Sequence, residues 1–244
     1  MTETARSAES PALDESFKPL YRAGAVAAFA TVAVTVFQIV AGILWPPPDF
    51  APTASAATRI LEMAHADPVL TFLKLDGLMV LDYLLLIVVY LALYAALKRT
   101  SPSLMLPGTA LALVAITLYL GTNPAVTMLV LAGQYATAGS DAAASGIVPA
   151  AQAVLVNFQG TAFLVHYVVM GIAGMLVASA MLRGGVFSRA TGIAGLLQGA
   201  MMLVPVTFGM VGLIFALGSL VPFIVWFILV GKRLWRLAAE PAGS

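Results

Sequence analysis

Apolar residues in this chain do not alternate with polar ones; they gather in blocks of about twenty or more. At 1.5 Å per residue, a helix of that length matches a hydrocarbon core about 30 Å thick. Six blocks predict six helices, over about 22–45, 69–97, 104–133, 152–182, 189–207 and 210–231. Turn chemistry supplies the breaks. Trp45-Pro46-Pro47-Pro48 ends the first block, Asp67-Pro68 opens the second, the run Arg99 to Ser103 separates the second from the third, and Arg183 to Arg189 turns the fourth back. The expected fold is all-α, a six-helix transmembrane bundle over residues 22–236, with a polar segment at 1–21 and a short tail at 237–244.

Two connections carry irregular sequence. Residues 46–68 hold an expected interfacial helix around Thr58 to Ala64, and 134–151 is rich in small residues, with Ser140-Asp141 as a helix start. Pro124 predicts a kink in the third block. The Ala54-Ser55-Ala56 triplet imitates a cleavage site, but the preceding apolar block is too long for a signal core.

Composition agrees with the pattern: 61% of the 244 residues are hydrophobic and 9% are charged, against about a quarter charged in soluble domains. The distribution of cations then sets a direction. Arg6, Lys18, Arg22, Lys98, Arg99, Arg183, Arg189, Lys232, Arg233 and Arg236 fall at one end of the predicted helices, while Arg59 and Lys74 fall towards the other. Because cytoplasmic loops retain Lys and Arg, both termini are expected to be cytoplasmic. With a net charge of +1 and no basic run interleaved with aromatics, nucleic acid is not an expected partner. With no Cys and two His, no metal site and no cofactor is expected.

Polar residues inside the blocks are the candidate chemistry. If Lys98 marks the inner boundary, the hydrocarbon reaches back about twenty residues to Leu78, leaving Asp76 in the headgroup region and Asp82 about one turn inside. Gln38, Asp82, Asn123 and His166 then share one depth, roughly 24 Å from the inner boundary. At about 100° per residue, Asp82 shares a stripe with Leu75, Leu86, Val89 and Leu93, whereas Asp76 aligns with Tyr83, Tyr90 and Tyr94. A charged Asp in hydrocarbon costs about 2.5–3.5 kcal/mol, which predicts a partner for Asp82, with His166 expected beside it. Gln152, Gln159 and His166 form a stripe on the fourth helix, as Tyr119, Asn123, Thr127 and Gln134 do on the third. Such a layer either binds a ligand or only hydrogen-bonds helices together. Gly195 with Gly199, and Gly174 with Ala178, are small-residue spacings that allow close helix approach, within the chain or in an oligomer.

The segments Leu81 to Arg99, Asn123 to Tyr135 and Asn157 to Gly199 resemble the bacterial six-span integral membrane proteins of the DUF-4386 family, a domain of unknown function. The motifs carrying the resemblance are Asn123-Pro124, Phe158-Gln159-Gly160-Thr161, and the Arg183 to Arg189 turn. It implies a multi-pass protein of the bacterial plasma membrane with no assigned activity, and marks Asp82, Asn123, Gln134 and Gln159 as motif positions without a role. His166 is not among them.

These residues lead to the expectation of a non-enzymatic bundle whose outward-facing polar layer, from Gln38, Asp82, Asn123, Gln134, Gln159 and His166, binds or passes a small apolar or amphipathic molecule. The rivals are an accessory subunit whose layer only fixes packing, and an intramembrane enzyme using Asp82 and His166 as acid and base. The lipid bilayer is the expected partner in every case.

Overall fold

The computed structural model describes residues 15–206 and 208–240, which are helix or connecting turn throughout, with no strand. Arg6 and the tail beyond 240 lie outside these residues. A 3-10 turn, Glu15–Phe17, leads into α1 (Lys18–Leu44), followed by α2 (Ala54–Ala66), α3 (Pro68–Lys74), α4 (Gly77–Leu97), α5 (Pro102–Thr122) and α6 (Ala125–Ala136). Then come α7 (Asp141–Ser145), α8 (Val148–Phe158), α9 (Thr161–Gly184), α10 (Arg189–Met201) and α11 (Gly209–Ala239).

Six of these close a ring in chain order: α1, α4, α5, α9, α10, α11, and back to α1. Neighbours run antiparallel. Gly24 lies against Ala92, Tyr83 against Tyr119, Gly108 against Val177, Gly199 against Gly171, Gly195 against Trp226, and Gly231 against Phe29. The centre is filled by Tyr90, Leu93, Ile116, Met170, Trp226 and Phe227, and the Tyr90 hydroxyl finds Met170 Sδ at 3.5 Å. Hydrophobic side chains also cover the outside, including Val26, Phe37, Ile43, Val114, Ile214 and Val221, as lipid-facing helices require.

Small residues let the helices meet backbone to backbone. A Cβ at Gly199 would lie 2.7 Å from the Gly171 carbonyl oxygen, and one at Gly195 would lie 2.9 Å from the Ala178 Cβ and 2.7 Å from the Trp226 indole nitrogen. Gly174 faces Gln198 in the same seam. The spacings expected to serve packing or an oligomer, Gly195/Gly199 and Gly174/Ala178, are thus occupied inside this chain, where α10 fits between α9 and α11.

At one end of the ring, α2, α3, α6 and α8 form a cap over a second core of Ile60, Leu61, Leu75, Met128 and Leu155. Three expected spans are interrupted where ring meets cap. The second breaks between α3 and α4 because Asp76 adopts a left-handed backbone, φ 57°, before Gly77. The third breaks at Asn123-Pro124, where proline cannot donate to the helix. The fourth breaks at Gln159-Gly160. Asn157 Nδ2 donates to the Gly121 carbonyl at 3.4 Å, tying two of these breaks together.

Among the described residues, five helical stretches are long and apolar enough to cross a membrane: Glu15–Leu44, Gly77–Leu97, Pro102–Ala136, Asp141–Gly184 and Gly209–Ala239. The expected fifth span, 189–207, differs. Its helix α10 has 13 residues, about 20 Å, and gives way after Met201 to turns in which Leu203 N–H donates to the Ala200 carbonyl and Phe208 N–H to that of Pro205.

Opposite the cap, the helix ends bring the basic residues together. Lys98 Nζ sits 3.9 Å from the Phe17 ring centroid, Arg22 stacks 5.8 Å above Trp235, and Arg233 Nε donates to the Val186 carbonyl at 2.6 Å. Arg59 and Lys74 belong to the cap, in α2 and α3.

Candidate functional site

The site is built where α4 begins. Its N-cap, Asp76, holds a carboxyl oxygen 3.1 Å from the Gln38 amide nitrogen on α1, and the same nitrogen donates to the Leu73 carbonyl at 3.0 Å. On the other side, Asn123 Nδ2 donates to the Asp76 carbonyl at 3.1 Å and reaches the Tyr119 hydroxyl at 3.3 Å, while Asn123 Oδ1 accepts from Ala125 N–H at 3.0 Å. One Asn therefore ties α4 to α5 and caps α6. Burial pushes the Asp76 carboxyl up to about 6, against the Gln38 hydrogen bond, which pulls it down.

An aromatic group continues from Tyr119 into the bundle. Tyr83 stacks on Tyr119 with centroids 3.7 Å apart, and its hydroxyl lies 3.2 Å from His166 Nε2. Phe163 packs edge-on to His166 at 4.7 Å, and Tyr167 at 6.0 Å. Gln38, Asp76, Asn123, Tyr119, Tyr83 and His166 thus form one connected series across α1, α4, α5 and α9.

Three of the residues expected at one depth, Gln38, Asn123 and His166, belong to that series. Asp82 does not. It is buried, with 3% of its surface exposed, but it faces Thr31 on α1, and neither Asp82 Oδ1 nor Thr31 Oγ1 has a hydrogen-bond partner. The expected Asp82–His166 pair is not formed: no ion pair or hydrogen bond joins them among the described residues, His166 bonds Tyr83 instead, and His166 Nδ1 is unpartnered. The reason is rotation. Tyr83 is one residue on from Asp82, about 100° around α4, and that step separates the α1 face from the α5 and α9 face.

The other two candidates lie outside the series. Gln134 is exposed in α6. Gln159 Nε2 donates to the Phe50 carbonyl at 2.7 Å, and Gln152 Nε2 to that of Pro52 at 3.5 Å, so both hold the 46–53 loop to the cap. Asp76, Tyr83 and Tyr119 were not among the candidates. The signal for Asp76 is the Asp-Gly dipeptide, which marks a turn, together with its stripe, which it shares with Tyr83.

Beside the series is a cavity of about 210 Å³, lined among others by Thr35, Gln38, Trp45, Lys74, Asp76 and Leu220. Its walls are mostly apolar, from α1, α3 and the start of α4, with Leu220 of α11 on the remaining side. Two polar atoms of the lining residues, Thr35 Oγ1 and Gln38 Oε1, lack hydrogen-bond partners, and both are buried behind the cavity wall rather than open to it. Gly42 lines the same cavity, and nothing lies within 4 Å of where its Cβ would be.

Fold and site together define a multi-pass, all-α membrane protein with a capped bundle and, under the cap, a mostly apolar cleft with one polar edge. In comparisons with known proteins, the chain matches no family model, no curated protein and no solved structure.

Proposed function

We propose that this protein captures a small amphipathic molecule in the cavity beside Asp76, at the end of the bundle that faces away from the cytoplasm. The observation that carries this reading is a mostly apolar cavity with one polar edge, where Lys74 lies beside the Gln38 amide and the Asp76 carboxyl, 3.1 Å apart. The cleft suits a molecule that brings a small polar group to the edge made by Gln38, Lys74 and Asp76 and an apolar body to Ile39, Met79 and Leu220. At about 210 Å³ it lies below the roughly 300–1,000 Å³ of drug-sized pockets, which restricts the occupant to a small one.

The same proposal places the chain in a bacterial plasma membrane with both termini cytoplasmic, on the grounds of the basic end and of the resemblance to the DUF-4386 proteins. It has six crossings, the fifth made by α10 and the turns after it, because α10 runs antiparallel to both α9 and α11. Single cysteines tested in intact cells, possible because the chain has none, check this: a thiol at Ser140 is expected to react with an impermeant maleimide and one at Ser103 only after lysis. Reaction of Ser103 but not Ser140 from outside would reverse the orientation, and reaction of both would put the two loops on one side and end the topology.

A second reading is supported by the hydrogen bonds already made by Asn123 and Asp76: the polar series fixes helix packing and the protein is an accessory subunit. Filling the cleft separates the two. Gly42→Leu is expected to remove a bound small-molecule mass from native mass spectra of full-length protein extracted without detergent, with thermal stability unchanged. Identical spectra for parent and variant would leave the packing reading and end the binding one.

A further inference from the structure

We propose that the basic end of the bundle carries a seat for one anionic phospholipid, in the groove between α1 and α4 roofed by Ala238 of α11. The groove encloses about 690 Å³, and Lys18 and Arg22 stand at its mouth, with Ala23, Val26, Leu85 and Val88 along its length.

Three features select that occupant. The first is charge. Arg22 makes no ion pair among the described residues and is held in place by stacking 5.8 Å above Trp235, while Lys18 pairs only with Glu15 of the preceding turn, at 3.1 Å. Lys98, Lys232 and Arg236 lie at the same end, where Arg233 is paired with Glu240 at 2.7 Å, so the local field still favours a negative headgroup.

The second is length. The lining runs along α1 from Lys18 to Ala27, about 14 Å, close to the roughly 15 Å of hydrocarbon in one leaflet. The third is shape. Small side chains at Ala23 and Ala27 hollow this face of α1, whereas Val26 and Val88 flank it. A headgroup phosphate between Lys18 and Arg22 places its chains against those residues, a geometry that a soluble anion would leave half unused.

The test uses full-length protein, delipidated and then exposed to equal amounts of phosphatidylglycerol and phosphatidylcholine with matched chains, and reads retained lipid by native mass spectrometry. The parent is expected to retain phosphatidylglycerol roughly tenfold over phosphatidylcholine, two cations near the membrane surface being sufficient for that ratio. Lys18→Gln with Arg22→Gln is expected to bring the ratio near one. Lys232→Gln, an exposed cation at the same end but outside the groove, should leave it unchanged. Ala23→Trp keeps both charges and fills the trough, and is expected to cut retention of phosphatidylglycerol at least threefold. Equal retention of the two lipids by the parent overturns the proposal. A ratio unmoved by the double substitution, or retention unmoved by Ala23→Trp, overturns it as well.

Discussion

Gly199→Val is expected to prevent assembly of the bundle, with full-length protein recovered as aggregate or unfolding at much lower temperature in lipid nanodiscs. A Cβ at 199 would lie 2.7 Å from both the Gly171 carbonyl oxygen and Met175 Cγ, and the Gly171 contact is mutual. The obstructing atom on one side is backbone, so no rotamer change relieves it, and α10 must move away from α9. Overpacking costs about 1–3 kcal/mol where side chains can adjust, and here the higher end or more is expected. Gly121→Val is the control, because its Cβ meets nothing within 4 Å. Similar losses for the two variants would mean that the α9–α10 seam does not hold the fold.

The second large effect is at Asn123. Replacing it by Ala removes the donor to the Asp76 carbonyl and the Tyr119 hydroxyl, and the acceptor for Ala125 N–H. Each group left buried without a partner costs about 1–3 kcal/mol, and water replaces some of what is lost, so about 3 kcal/mol in total is expected. Asp82→Leu should behave in the opposite way: it removes a buried carboxyl whose Oδ1 has no partner, and Leu has similar bulk, so stability should hold or rise by about 1 kcal/mol. Both are read by denaturation of the full chain in nanodiscs. A larger loss for Asp82→Leu than for Asn123→Ala would restore Asp82 as the central carboxylate.

That reversal between Asp76 and Asp82 shows how far residue order alone reaches. Counting from Lys98 put Asp76 in the outer headgroup region, inside a helix read over 69–97, and the structure places it at a break, as the N-cap of α4. Depth, however, says nothing about which neighbour a face meets. Asp82 and His166 were matched by distance from the helix ends, yet a single residue's rotation on α4 gives His166 to Tyr83.

Local chemistry was legible wherever it is made by neighbours in the chain. The proline run after Leu44 stops α1, and the Ser140 hydroxyl accepts from Ala143 N–H at 3.2 Å. The interfacial helix read around 58–64 runs from Ala54 to Ala66, with the Thr53 hydroxyl accepting from Ala56 N–H at 3.2 Å. The kink expected at Pro124 is a full break. The breaks at Asp76 and Gly160 were passed over because apolar residues continue on both sides of them.

Apolar blocks, turn residues and the placement of cations therefore fix the helices and the end at which charge gathers, since these depend on transfer of side chains from water and on backbone geometry within a few residues. Whether an apolar helix lies in the bundle or in a cap above it is decided by what it packs against. α6 and α8 read as membrane-like as α5 and α9, and it is the long-range cluster of Ile60, Leu61, Met128 and Leu155 that draws them out of the ring. The same holds for the cleft: Gln38 and Asp76 are 38 residues apart, and only the antiparallel packing of α1 on α4 brings amide and carboxyl to 3.1 Å beside a cavity.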